Sequence, residues 1–248
     1  MSISVILGVI FVVFLGALTR MTFGFGAAVV SMPLLTLLPI KLHTVVSLMG
    51  LVGLTVAMLA VLAGWQHIDR KTLIQLTLAA LLGIPVGLTM VMFIPTKVIT
   101  ILLGAVLIVY GIYSLNQSVH KSDSIKVHER WGLLFGFASG VFGSAYNFNG
   151  VPIAVYGSLR KWSPSKFRST LQAYFLISGI LIVAGQGIGG MWSTDMFILY
   201  VFSLPAIAAA IIVGTILHRH MPTAKFQRYV YLLITALGTV LLVKSVIS

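Results

Sequence analysis

The 248-residue chain is 59% hydrophobic and 8% charged, carries no cysteine and has a mean hydropathy of +1.09. Soluble domains coat themselves with about 25% charged residues, so 16 Lys and Arg with 4 Asp and Glu exclude a water-facing globule, and the missing thiols exclude disulfides and thiolate chemistry. The net charge of +12 does not mark a nucleic-acid binder, because the basic residues sit between apolar segments, where they set membrane topology.

At roughly 20 apolar residues per spanning helix, the composition describes one integral membrane domain with no room for a folded extramembrane one. The first 18 residues lack the basic start and small-residue cleavage site of a signal peptide, so 3–18 is predicted as a retained helix. Apolar segments follow at 22–38, 45–63, 73–93 and 98–115, each bounded by a polar or basic break. The polar stretch 116–130 (NQSVHKSDSIKVHER) reads as a surface connector. Beyond it come 131–148, a short piece at 150–159, then 170–190, 196–217 and 226–246. The predicted fold is all-α, with repeat 1 at 1–115 and repeat 2 at 131–248.

Landmarks recur at matching places in the two halves. Phe23-Gly24 precedes Pro33 by the same interval, nine residues from the Gly, as Phe142-Gly143 precedes Pro152. Pro95-Thr96 precedes Gly111 by sixteen residues from the Pro, as Pro222-Thr223 precedes Gly238. Two spacings kept in the same order favour a duplication.

Charge placement orients the halves. If all ten segments cross, Lys41, Lys97 and Lys244 fall on one side and the other thirteen of the sixteen Lys and Arg fall on the opposite side. Fusing the first two segments of each half into one crossing weakens that asymmetry and strands Arg20 in lipid. The positive-inside rule therefore prefers ten segments with both termini outside. An odd number of crossings per half turns the second half upside down, the inverted-repeat plan common among secondary transporters. Segment 150–159 is too short to span, so it and 22–38 alternatively form re-entrant hairpins with the preceding helix, within a plan of eight to ten transmembrane segments and with the same loop sidedness.

The most informative stretches are 20–33 (RMTFGFGAAVVSMP) and 139–152 (SGVFGSAYNFNGVP). Glycines followed by Pro33 or Pro152 are expected to interrupt a membrane helix, and irregular backbone is tolerated there only where it is buried or lines a cavity. A broken helix offers bare amides and the positive end of its dipole, which hold anions. The predicted substrate site comprises Arg20, Thr22, Gly24, Gly26, Ser31 and Pro33 in the first copy. In the second copy it comprises Gly143, Ser144, Tyr146, Asn147, Asn149, Gly150 and Pro152. Competing readings stand beside these: glycines as close helix packing, Thr22, Ser31 and Ser144 bonding their own helix, and the asparagines bridging helices. Arg20 is either a snorkelling interfacial anchor or the fixed cation opposite a bound oxyanion.

The run Gly24-Phe25-Gly26-Ala27-Ala28 leading to Pro33-Leu34-Leu35, repeated loosely from Gly143 to Asn149-Gly150-Val151-Pro152, resembles the sulfite exporter TauE/SafE family, also called the sulfonate-uptake permease family. The resemblance covers the whole chain. It implies a multi-pass bacterial inner-membrane transporter for sulfite, sulfonates or related small organic anions. Ala27-Ala28 and Tyr146-Asn147-Phe148-Asn149 depart from the family's glycine run at positions that would line the site.

The four acidic residues, Asp69, Asp123, Glu129 and Asp195, all fall in predicted loops, which disfavours carboxylate-based coupling. An interior-negative potential would drive anion exit by about 2.3 kcal/mol per charge per 100 mV, so passive export is the expected mode. The six histidines also lie near loops, and His218-Arg219-His220 reads as a lipid-headgroup contact. No enzyme signature and no cofactor motif is found. The expected partners are a small anion and the lipid bilayer, and not nucleic acid. A non-transporting membrane assembly partner and an anion channel are the alternatives; replacing Gly24 or Gly143 by Leu should abolish flux only if the breaks form the site.

Overall fold

The computed structural model describes residues 2–61, 68–119, 128–160 and 162–220, with 231–232, 235–236, 238–239 and 242–243. Among these, every regular element is a helix: α1 (Ile3–Phe23), α2 (Ala27–Thr36), α3 (Leu42–Val61), α4 (Arg70–Phe93), α5 (Thr96–Val119), α6 (Trp131–Tyr146), α7 (Gly150–Leu159), α8 (Pro164–Ile188) and α9 (Thr194–His220). Most of the tenth predicted segment, 226–246, the Pro222-Thr223 landmark, Asp123, and Lys121, Lys126, Lys161, Lys225, Arg228 and Lys244 lie outside the described residues. The chain is a multi-pass, all-helical membrane protein, with α1, α3, α4, α8 and α9 each long and apolar enough to cross.

Local chemistry sets the helix ends. Asp69 caps α4, its Oδ1 accepting from the Thr72 amide at 3.1 Å, and Ser163 caps α8 with Pro164 in the first turn. Three predicted boundaries change. The first helix runs to Phe23, five residues beyond the expected 18, because Gly24 rather than Arg20 supplies the left-handed stop. Residues 116–119, assigned to the connector, continue α5. The prolines do not make the breaks: Pro33 lies inside α2 and Pro152 in the first turn of α7, where its missing amide has no intrahelical partner to lose.

The second segment of each half does not cross. α2 has ten residues, about 15 Å against a hydrocarbon core of about 30 Å, and it folds back along α1. Ser31 Oγ donates to Val12 O at 3.1 Å, and farther along Leu38 faces Gly8. α7 returns along α6 in the same way, with the Phe135 and Tyr156 rings 5.5 Å apart and Ser139 Oγ donating to Asn149 O. Both second segments are therefore hairpin arms, which sets aside ten full crossings and equally the fused, eight-crossing alternative.

Two helices form the centre. The share of buried residues in the apolar window is 61% for α3 and 56% for α8 but 28% for α9, so the first two face protein and the last mostly faces lipid. α3 and α8 run antiparallel: Gln186 lies by Gly50, and Gly179 by Leu54. The outer packing comes in matched sets, α1 on α9 and α6 on α4, α2 on α3 and α7 on α8. Lipid supplies no hydrophobic drive between helices, so close contact relies on small residues. A Cβ at Gly83, Gly87, Gly136 or Gly140 would meet backbone of the facing helix in the α4/α6 pair.

The two ends differ in charge. At one end Lys71 and Arg160 pair with Glu129 at 2.9 and 3.3 Å, and Lys166 pairs with Asp69 at 2.6 Å, which gathers the loops before α4, α6 and α8. At the other end Ser47 Oγ donates to Met191 O at 3.0 Å, and His43 Nε2 lies 3.2 Å from Val91 O. The loops expected to share a side by charge counting do share one.

Candidate functional site

The first break is built by glycine. Gly24 (φ 86°) ends α1, its N–H donating to Arg20 O at 2.7 Å, and Gly26 (φ 96°) begins α2. No Cβ opposes these left-handed conformations. The first α2 amide to bond back is that of Val30, onto Gly26 O at 3.2 Å, so the amides of Ala27, Ala28 and Val29 have no intrahelical acceptor. The second break uses asparagine. Asn147, at φ 60° the one non-glycine residue with positive φ among those described, ends α6, and α7 starts at Gly150.

α8 holds both turns in place. Gln172 Nε2 donates to Gly24 O at 2.7 Å, and Arg168 donates to Met21 O at 2.9 Å. In the second turn, Asn149 Nδ2 donates to Ser178 Oγ at 3.1 Å, and Tyr174 is hydrogen-bonded to Ser139 at 2.7 Å. α3 contributes Val46 O, which accepts from Asn147 Nδ2 at 2.7 Å.

The two turns face one cavity of about 40 Å³, room for about three waters or one small ion. The first turn contributes Arg20, Gly26, Ala27, Ala28 and Val29, and the second Asn147, Phe148, Asn149 and Gly150. α3 adds Met49, Gly50, Gly53 and Leu54, and α8 adds Phe175, Gly179 and Ile182. Two helix N-termini thus direct their positive dipole ends into the same space, and α2 adds its bare amides, whereas in α7 the Val151 N–H donates to Phe148 O and Pro152 has none.

Arg20 supplies the charge. It is 6% exposed, donates to Gly53 O at 2.9 Å and to Gln172 Oε1 at 3.3 Å, and lies 4.4 Å from the centre of the Phe175 ring. Its Nε has no partner. Among the described residues no carboxylate lies within ion-pair reach, since Asp69 and Glu129 are engaged at the basic end. A buried cation with neutral partners is costly. The snorkelling-anchor reading of Arg20 is set aside: the side chain turns inward to α3 and α8, where backbone and amide oxygens receive it.

The other predicted residues divide. Gly26, Asn147, Asn149 and Gly150 line the cavity with Arg20. Thr22, Gly24, Ser31, Pro33, Gly143, Ser144, Tyr146 and Pro152 do not. Thr22 Oγ1 bonds Leu18 O at 2.8 Å, one turn back, and Ser31 joins α2 to α1. Ser144 Oγ bonds Ile84 O and Gly140 O, both at 2.9 Å. Gly24 and Gly143 act on the site through backbone shape, Gly143 by letting Asn149 approach closely. Tyr146 is packed against Phe148, and Pro33 and Pro152 are buried.

Sequence reasoning overlooked the α3 and α8 contributions. Gln172 and Gln186 are amides inside an apolar span, the signal that could have found them. Gly50, Gly53, Gly179 and Phe175 carried none, because small and aromatic residues are ordinary in membrane helices.

The family model described as sulfite exporter TauE/SafE matches residues 9–241. The chain belongs to the TauE/SafE family. Its break-and-cavity geometry therefore lies within a family of membrane transporters, and every cavity residue falls within the matched range. No curated protein and no solved structure matches this TauE/SafE chain.

Proposed function

We propose that this protein is a permease for small oxyanions, sulfite or sulfonates in the first instance, which bind between the two helix breaks. The observation that carries the reading is Arg20, a guanidinium buried among the helices without a carboxylate partner among the described residues. Guanidinium geometry suits a bidentate oxyanion, the α2 N-terminus adds bare amides, and the α7 N-terminus adds the positive end of its dipole from the other side. A transporter rather than an enzyme fits a site with no nucleophile–base pair among its lining residues.

The two halves are read as inverted repeats. The matched packing pairs and the antiparallel run of α3 against its counterpart α8 support this. The basic end is assigned to the cytoplasm of a bacterial inner membrane, which places the amino terminus outside, and the inverted plan does the same for the carboxyl terminus. Export then runs down the membrane potential.

The direct test is Arg20→Gln in proteoliposomes with radiolabelled sulfite. The half-saturation concentration should rise about 10- to 100-fold, the scale of a charge-assisted hydrogen bond. An unchanged half-saturation, with sulfite still carried, would remove Arg20 from the site.

A further inference from the structure

A second polar group stands beyond the cavity with nothing to bond. Gln186 of α8 is fully buried, and both its Nε2 and its Oε1 lack a hydrogen-bond partner. A buried unpartnered amide is expensive, and such groups call for an explanation. This one faces Gly50, where a Cβ would lie 2.5 Å from Gln186 Oε1 and 3.4 Å from Asn147 Oδ1. Gly50 and Asn147 both line the cavity, so the amide stands just behind its wall.

Its position has a direction. Arg20 is bonded to Gly53 O, and Gln186 meets Gly50, three residues earlier on α3. At 1.5 Å rise per residue that is a step of about 4.5 Å, one helical turn, away from the basic end. The turn that follows α8 covers Gln186 on that side: the Met191 N–H donates to Gln186 O at 2.9 Å, and Ser47 fastens Met191 O to α3. The amide therefore lies between the cavity and the turn at Gly189–Gly190 (φ 69° at Gly190), which is the last layer before the non-basic end.

We infer that the Gln186 carboxamide is a second station for the anion, one helical turn beyond Arg20 on the way to the non-basic end. Nε2 offers two donors to an oxyanion that has left the guanidinium, and Oε1 accepts from a water that replaces its shell. Gly50 lets the amide lie directly against the cavity wall, because a Cβ there would meet Gln186 Oε1. The inference rests on the anion site proposed above and adds to it a route and a side.

The test separates binding from movement. Gln186→Met keeps the length of the side chain and removes its polar atoms. Equilibrium binding of sulfite to the purified protein should stay within about twofold of the parent, whereas maximal sulfite flux should fall about tenfold or more. Thermal stability should hold or rise, since an unpartnered amide is lost.

A second readout is independent of flux. The chain has no cysteine, so Gln186→Cys carries a single thiol for a membrane-impermeant maleimide. Labelling should occur from the face that also labels Lys41→Cys, and methanesulfonate should slow it. Wild-type flux in Gln186→Met, or labelling absent or confined to the basic face, overturns the second station. Wild-type behaviour of Arg20→Gln, or no carriage of sulfite, methanesulfonate or taurine by the parent, removes the anion site itself and this inference with it.

Discussion

Arg20 occupies the fourth-from-last position of α1, and its guanidinium reaches Gly53 on α3 and Gln172 on α8. A cation held this way is stable only through neutral oxygens and a ring face, so its removal should relieve the empty protein. Arg20→Gln is therefore expected to melt at or above the parent temperature without ligand, and to lose the stabilisation that sulfite gives the parent. Melting curves with and without sulfite decide it; a large destabilisation without ligand would make Arg20 a structural residue. Asn147 provides a contrast. At φ 60° it carries both a strained backbone and the bond to Val46 O. Asn147→Ala should cost about 1–2 kcal/mol, and Asn147→Gly less, because glycine restores the backbone freedom and loses only the bond. Denaturation of the two variants side by side measures the order.

At the level of elements, the α4/α6 pair shows how glycine replaces the hydrophobic effect inside lipid. The four glycines of that seam admit the facing backbone, and Ser144 crosses it to Ile84 O at 2.9 Å. Gly140→Leu should force the helices apart and destabilise the fold by several kcal/mol, as overpacking does when backbone cannot move. A loss of monodisperse protein on size exclusion is the expected result. An exposed position such as Leu82, 72% accessible on α4, should accept Ala with little change, because it meets lipid in either case. The hairpin arms follow from the same physics. α2 can begin at an interior break because its first amides face a cavity lined with protein and not hydrocarbon.

On the scale of the whole molecule, charge separates the two ends, and the basic end is fastened by ion pairs. Burial acts to raise the Asp69 carboxyl, but the hydrogen bonds from Lys166 and Thr72 outweigh it and hold the group below its ordinary value. A depressed acid stabilises the fold above its unfolded pKa of about 3.9 and loses that contribution as pH falls through the folded value. Melting temperature should thus drop on acidification below about pH 4, and Asp69→Asn should start lower at neutral pH and show a flatter acid limb. Transport is a property of the same scale. With Asp69 and Glu129 in the ion pairs of one end and Asp195 in the first turn of α9, the described spans hold no interior carboxylate to relay protons. Sulfite flux in proteoliposomes should follow an imposed potential, about 2.3 kcal/mol per charge per 100 mV, and ignore pH and sodium gradients. A strict need for either gradient would end the passive mode.

Much of this was legible along the chain. Hydropathy located the membrane helices, because lipid demands about 20 apolar residues wherever a helix crosses. Loop charge grouped the ends correctly, because each crossing alternates the side. The glycine-rich stretches 20–33 and 139–152 stood out as breaks, although the second turns on the left-handed Asn147 rather than on a glycine. Whether those breaks led across the membrane or back along the same helix could not be read, since both paths use identical local geometry and differ only in what packs beside them. Nor could the inward turn of Arg20: a long side chain near a helix end reaches either interface or interior, and the oxygens of Gly53 and Gln172 decide which. The cavity itself exists only where four segments distant in sequence meet, so tertiary packing alone brought α3 and α8 to the breaks and left Gln186 buried beside them.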